Sequence, residues 1–328
     1  MAVKGVSPQV DLNGLVLPGA VLVASGCFGS GRELGPLFDR SGVGGVVSRT
    51  VTAAPRKGAP SPRAAETPSG LLSMVGLQNP GVDAFVADDL LHMASMSLPV
   101  IVSVAGGSLE EYVRVTAALD GAPGVVALEV YLAGPDEELD GQPFTARPER
   151  CAEVTGAVAR RAQVPVFAKL PALQVGLVEA AGACVRAGAH GLTMIDGVPG
   201  MAVNADELAP ALGSVQGYLS GPAVRPLALR AIHQVANAMP EVPIMGVGGV
   251  WTGSDAAELL LAGAWAIQVG TAMLVDPAGA ARVASGLVGY LRGKGLTSPA
   301  DIRGRLRAPA AGIPPPGAAG GAGPEGAR

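Results

Sequence analysis

The chain has 328 residues, 49% of them hydrophobic and only 15% charged, which is enough apolar material to bury the core of one large α/β domain. A formal net charge of −4 leaves no basic face for a phosphate backbone and argues against a nucleic-acid partner. No apolar run approaches the roughly 20 residues of a membrane span and the N-terminus lacks a secretory pattern, so the expectation is a cytoplasmic enzyme with no membrane association.

In chain order, the stretch 8–17 places Asn13-Gly14 between apolar residues and reads as a short N-terminal β-hairpin. Short apolar, β-branched runs then recur at 21–24, 46–48, 100–104, 125–130, 165–169, 191–195, 243–247 and 265–269. Most are continuous, as in Pro-Val-Ile-Val-Ser-Val, the pattern of parallel strands covered on both faces. Helical patterns fall between them at about 82–96, 109–119, 149–162, 174–187, 224–238 and 254–262, with Ser108 and Ser254 as capping residues. Eight strand-helix alternations with no strand left over predict a closed (β/α)8 TIM barrel, with the hairpin closing its bottom. This single domain runs over 1–307. The Gly/Pro/Ala-rich segment 308–328 has too few large apolar side chains to offset the entropy of ordering and is expected to be a disordered tail. The cysteines, Cys27, Cys151 and Cys184, are odd in number and far apart, which fits neither a disulfide framework nor a zinc cluster; no metal is expected.

In a barrel of this kind chemistry collects at the C-terminal ends of the strands, and a phosphate site often forms after the seventh and eighth. Here the seventh ends in Gly246-Val247-Gly248-Gly249-Val250 and the eighth in Gln268-Val269-Gly270-Thr271-Ala272. Paired glycines bare their backbone N–H groups to an anion, and a helix starting near Ser254 is expected to add its positive end. A glycine turn alone only closes a loop; two of them at these two strands point to a phosphate. Lys169, one of four lysines, ends the fifth strand inside an apolar run, where an ammonium is costly unless it meets an anion or a polarised acceptor such as a flavin edge. After the first strand, the small residues Ala24, Ser25 and Gly26 let a planar ring approach the backbone.

The segments Ala24-Ser25-Gly26-Cys27-Phe28-Gly29, Gly76-Leu77-Gln78-Asn79-Pro80-Gly81-Val82-Asp83, Ser220-Gly221-Pro222-Ala223, Gly246–Val250 and Gln268–Ala272 occur in order. Together they resemble class 1 dihydroorotate dehydrogenases of pyrimidine biosynthesis, the B subclass in particular, from about residue 8 to 305. The resemblance implies an FMN with its phosphate on amides near Gly221, Gly248, Gly249, Gly270 and Thr271. Its ring would lie over Ala24, Ser25 and Gly26, with Lys169 at its pyrimidine edge. Arg49 stands where the family has lysine, a flavin- and substrate-contacting position, and Ser103 where it has a flavin-touching asparagine.

The substrate side departs from the family pattern. Where the family reads Asn-x-x-Cys-Pro-Asn after the fourth strand, with Cys as base, this chain reads Tyr131-Leu132-Ala133-Gly134-Pro135-Asp136. Gly134 carries no base. Ser73, Asp136 and Asp196 replace further orotate-binding positions, and anionic Asp136 and Asp196 would repel a carboxylate. Lys169, Asp136 and Tyr131 are the candidate catalytic residues, and Arg49, Ser73, Asp136 and Asp196 the candidate substrate contacts. The expected function is hydride transfer between a small cyclic substrate and FMN. The alternatives are a true dihydroorotate dehydrogenase with an unusual base and a catalytically silent flavin-binding subunit. The resemblance also implies a homodimer and, for B-type relatives, an FAD and iron–sulfur electron-transfer subunit.

Overall fold

A computed structural model describes residues 5–132, 135–136, 142–143, 147–172 and 176–307; the side chains of Pro36 and of 135–136 and 142–143 are not described. Eight parallel strands close into a barrel: β1 Val21–Val23, β2 Val43–Val47, β3 Val100–Val104, β4 Val125–Tyr131, β5 Val166–Leu170, β6 Gly191–Met194, β7 Ile244–Val247 and β8 Ala266–Val269. Their neighbours follow chain order and β8 pairs back onto β1. All eight match the runs read from the sequence. β1, β2, β3, β5, β6, β7 and β8 are buried along their whole length, because helices cover the outside and side chains fill the inside.

The hairpin forms as expected, with Val10–Leu12 antiparallel to Leu15–Leu17. Asn13 and Gly14 both take positive φ, the requirement of a tight two-residue turn. Val10, Leu12, Leu15 and Leu17 are buried while Asp11 and Val16 face outward. His190 Nε2 lies 2.6 Å from the Leu12 carbonyl, and its ring packs edge-on against Phe167 at 5.6 Å.

Helices cover the barrel at Leu109–Ala118, Pro148–Arg161, Leu177–Arg186, Arg225–Ala238 and Gly253–Ala262, with a helical stretch from Val82 to Ser95. Ser108 caps the first of these by accepting from the Glu111 amide. The cap of Gly253–Ala262 is Thr252, not Ser254: Thr252 and Asp255 close a reciprocal capping box. Among the elements not legible in the sequence, two matter for the barrel and its site. A Gly/Ala-rich helix, Gly279–Gly293, packs on β1 and on Gly253–Ala262. A four-stranded antiparallel sheet, in the order Val198–Gly200, Gly217–Ser220, Gly70–Ser73 and Ala64–Thr67, joins the excursions that follow β2 and β6. Its strands have three or four residues and mixed burial, so no apolar run marks them.

Among the described residues no helix is long and apolar enough to cross a membrane. The expected tail at 308–328 lies outside the described residues, as does the expected start of a helix at 174.

Candidate active site

Five polar side chains stand buried on the barrel strands: Ser103 on β3, Glu129 on β4, Lys169 on β5, Thr193 on β6 and Gln268 on β8. Parallel pairing sets Ser103 beside Glu129, and Tyr131, Lys169 and Thr193 side by side, so these share the inward face. Gln268 Nε2 donates to Glu129 Oε2 at 2.9 Å. Lys169 Nζ lies 3.5 Å from Glu129 Oε1 and 3.4 Å from Asp196 Oδ1. Burial would lower the Lys169 pKa, but the two carboxylates outweigh it and raise it, so the ammonium stays charged. Glu129, Thr193 and Gln268 escaped the sequence reading. The signal was a carboxylate and an amide inside the apolar runs Leu128-Glu129-Val130 and Ile267-Gln268-Val269.

Asp196 follows β6, anchored by its amide on the Leu170 carbonyl at 3.2 Å. Its carboxylate is reached by the phenol of Tyr131, which stands at the end of β4 and whose carbonyl accepts from Tyr112 Oη at 2.7 Å. Burial and the nearby Asp196 push the Tyr131 phenol well above its usual range, and it stays protonated. Tyr218, another residue the sequence reading missed, brings its phenol against that of Tyr131 from the antiparallel sheet. Ser73 pairs directly with Tyr218 and shares its face of that sheet. The structure thus gathers Lys169, Tyr131 and Asp196, and sets Ser73 beside the Tyr218 that touches them.

Over the first three strands the residues form a hydroxyl network. Ser25 Oγ donates to the Ser48 carbonyl at 2.8 Å, Thr50 and Ser103 share a hydrogen bond of 2.9 Å, and Ser48 Oγ accepts from the Ser103 amide at 3.1 Å. Ser103 is therefore engaged by Thr50 rather than free. Arg49 turns to Glu33 at 3.2 Å, on the loop after β1, while its buried Nε has no partner. Cys27 sits near Ala24 and Gly270; a Cβ built on Gly270 would meet Ala24 Cβ at 3.6 Å and Cys27 Sγ at 3.7 Å. Burial pushes the Cys27 thiol up to about 11, against the opposing pull of Lys169.

The glycine loops lie at the same end. The amides of Gly221, Gly248, Gly249 and Gly270 donate to no acceptor among the described residues. Gly221 lies near Thr271, whose Oγ1 hydrogen-bonds Ser220 Oγ at 2.8 Å. Gly249 packs on the start of the helix Arg225–Ala238 so tightly that an added Cβ would collide with Arg225. The expected anion-attracting end of the next helix is not open: the Asp255 carboxylate accepts from the Trp251 and Thr252 amides at 2.9 and 2.8 Å and pairs with Arg225. That local carboxylate occupies the helix terminus.

The Asp136 side chain and Gly134, Glu137, Glu138 and Asp140 lie outside the described residues; the Asp136 backbone forms a short antiparallel pair with Gln142. Among the described residues no group of three or more His, Cys, Asp or Glu side chains is placed to hold a metal ion.

The family model described as dihydroorotate dehydrogenase matches residues 8–291. The chain is similar to proteins named dihydroorotate dehydrogenase B (NAD(+)), catalytic subunit. With that of Desulforudis audaxviator it shares 45% identity over 291 residues, covering 89% of this chain and 94% of the relative. With that of Geotalea daltonii the identity is 40% over 299 residues, 91% and 98% of the two chains. With that of Bacillus mycoides it is 43% over 269 residues, 82% and 87%.

Proposed function

The chain belongs to the dihydroorotate dehydrogenase family, and from that premise we propose that it is an FMN-dependent oxidoreductase moving a hydride between a small cyclic substrate and the flavin. The observation that carries the cofactor reading is the set of acceptor-free amides at Gly221, Gly248, Gly249 and Gly270, gathered at the barrel end that also presents Lys169. A phosphate supplies the acceptors these amides lack. Gly221, Gly248, Gly249, Gly270 and Thr271 would hold it; Ala24, Ser25 and Gly26 would border the ring, and Lys169 its electron-rich edge. When bound, FMN supplies reversible hydride acceptance.

The remaining chemistry falls to this chain's own side chains. Lys169 keeps a fixed positive charge where negative charge develops on reduction. Tyr131, held protonated, gives a hydrogen bond and does not take a proton, which leaves Asp136, Asp196 or water for any step that needs a base. Ser103, held by Thr50, and Ser25, held by Ser48, form a fixed hydroxyl network that would border the ring. Arg49 is directed to Glu33, and its buried Nε would be the donor left for the flavin or the substrate.

Purified chain should be yellow, with about one FMN bound. Gly270→Ala tests the placement: its Cβ meets no protein atom closer than 3.6 Å. The variant should fold yet bind FMN at least about tenfold more weakly. A colourless chain that cannot be reconstituted, or Gly270→Ala with unchanged FMN affinity, would overturn the reading.

A second reading, oxidation of dihydroorotate itself, is favoured by the names of the relatives. Assay with dihydroorotate and an artificial acceptor decides it, brisk turnover meaning that another group has replaced the base missing at Gly134. The relatives' designation as a catalytic subunit supports a further subunit that carries the electrons away; a homodimer, and FAD and iron–sulfur in that partner, are what the family resemblance adds to the reading. Co-purification of a brown partner tests that assembly.

A further inference from the structure

The charges around Lys169 do not balance. Against its single ammonium stand two carboxylates, Glu129 and Asp196. Among the described residues, the other titratable groups beside Lys169 leave that surplus in place: the Cys27 thiol is neutral, the phenols of Tyr131 and Tyr218 are neutral, and Arg49 is paired with Glu33. The two carboxylates are not equivalent. Glu129 is fully buried and accepts from Gln268, whereas the Asp196 side chain is 17% exposed and opens toward the mouth. Asp196 is the one a ligand can reach.

A second observation has the same sign. Beside Lys169, the buried Oε1 of Gln268 and the Thr193 hydroxyl have no hydrogen-bond partner, and Glu129 Oε1 has no closer donor than the Lys169 ammonium at 3.5 Å. The Gln268 atom is an acceptor only, so the site is short of donors as well as negatively charged. The aromatic rings of Tyr131 and Tyr218 beside Asp196 complete a lining that suits a cation or a polarised N–H edge. A ring carboxylate brought here would meet Asp196 with like charge in a poorly solvated setting.

We propose that Asp196 receives a cationic or hydrogen-bond-donating nitrogen of the substrate, so that this chain selects neutral or protonated nitrogen-bearing rings over ring carboxylates. The proposal rests on the flavin site proposed above. It gives Asp196 a specificity role, with Tyr131 and Lys169 holding the carboxylate in place.

Four planar probes of similar size test it with the full, FMN-loaded chain: benzamidine, benzamide, benzoate and orotate, each titrated while the flavin spectrum is followed. Benzamidine should bind at least about tenfold more tightly than benzoate or orotate. Asp196→Asn should weaken benzamidine by a similar factor, strengthen orotate and reverse the order, with flavin content unchanged. If Asp196→Asn does not fold or loses flavin, Asp196→Ser makes the same measurement. Tighter binding of orotate or benzoate by the wild type, an order unaffected by the substitution, or no response to any probe would overturn the proposal. Should the chain take up no FMN, the flavin reading fails by itself; calorimetry on the flavin-free chain still ranks the four probes and decides the role of Asp196.

Discussion

Lys169 shows how one side chain carries both fold and chemistry. Its ammonium is nearly enclosed, and Glu129 and Asp196 raise its pKa above the ordinary lysine value of about 10.4. A cation raised in the folded state contributes its full stability below the unfolded value and loses it only as pH climbs through the folded one. Lys169 therefore adds no pH dependence to folding between about pH 5 and 9. Removing it is another matter. Lys169→Met strands two carboxylates and should cost about 3–5 kcal/mol in urea unfolding at neutral pH. A loss below about 1 kcal/mol would mean that the pair is solvated and the site open. Cys27 gives the opposite sign. As an acid raised in the fold to about 11, it is a neutral thiol at pH 8. Iodoacetamide should label it slowly in the native chain, with the rate rising toward pH 11, while the unfolded chain reacts from about pH 8.5. Peptide mapping by mass spectrometry reads both.

Single elements are held by polar braces that a motif search sees only as letters. Asn79 belongs to the segment that carries the family resemblance, yet its amide works structurally. Its Oδ1 accepts from the Thr52 and Gly81 amides at 3.2 and 2.8 Å, and its Nδ2 donates to Thr52 Oγ1 and the Leu77 carbonyl at 2.9 and 2.8 Å. It ties the loop after β2 to the start of the helical stretch at Val82. Asn79→Ala leaves buried donors unmet and should cost about 1–3 kcal/mol in thermal or urea unfolding, without shifting FMN affinity as much as Gly270→Ala does. Lys169 was legible in the sequence because an ammonium ending an apolar strand is costly unless it snorkels to solvent or meets an anion, and its position at the barrel top favours the anion. Glu129 was passed over because the partner of the Lys169 ammonium was sought in a flavin edge rather than in a carboxylate inside the neighbouring strand. Gly248 and Gly249 were legible as glycines but only partly as chemistry. The structure shows that Gly249 is required by its contact with Arg225, so a side chain there disturbs the protein before any ligand.

At the scale of the whole molecule the two ends of the barrel divide the work. The eight strands could be read from sequence because each is a largely apolar run; the antiparallel sheet over the C-terminal end could not, since its strands have only three or four residues of mixed burial. That sheet delivers Tyr218 to Tyr131 and Asp196, so a residue of the candidate site was hidden along with it. At the other end the Asn13-Gly14 hairpin was legible, and His190, which the sequence places at the bottom before β6, fastens it. His190 Nε2 lies 2.6 Å from the carbonyl of the fully buried Leu12, and Asn13 Nδ2 donates to the Glu241 carbonyl at 3.0 Å. Replacing His190 with Phe keeps the ring against Phe167 but leaves the Leu12 carbonyl without that partner, a loss of about 1–3 kcal/mol. Barrels of this kind keep stability at the N-terminal face and chemistry at the C-terminal face. His190→Phe should therefore lower the unfolding midpoint while FMN affinity and the benzamidine-to-orotate preference stay at wild-type values. Asp196→Asn should do the reverse, shifting the ligand preference with little change in the midpoint. Measuring both variants for both properties makes the division testable: a His190→Phe chain that loses FMN while still folded would show that the hairpin end and the flavin end are coupled through the strands between them.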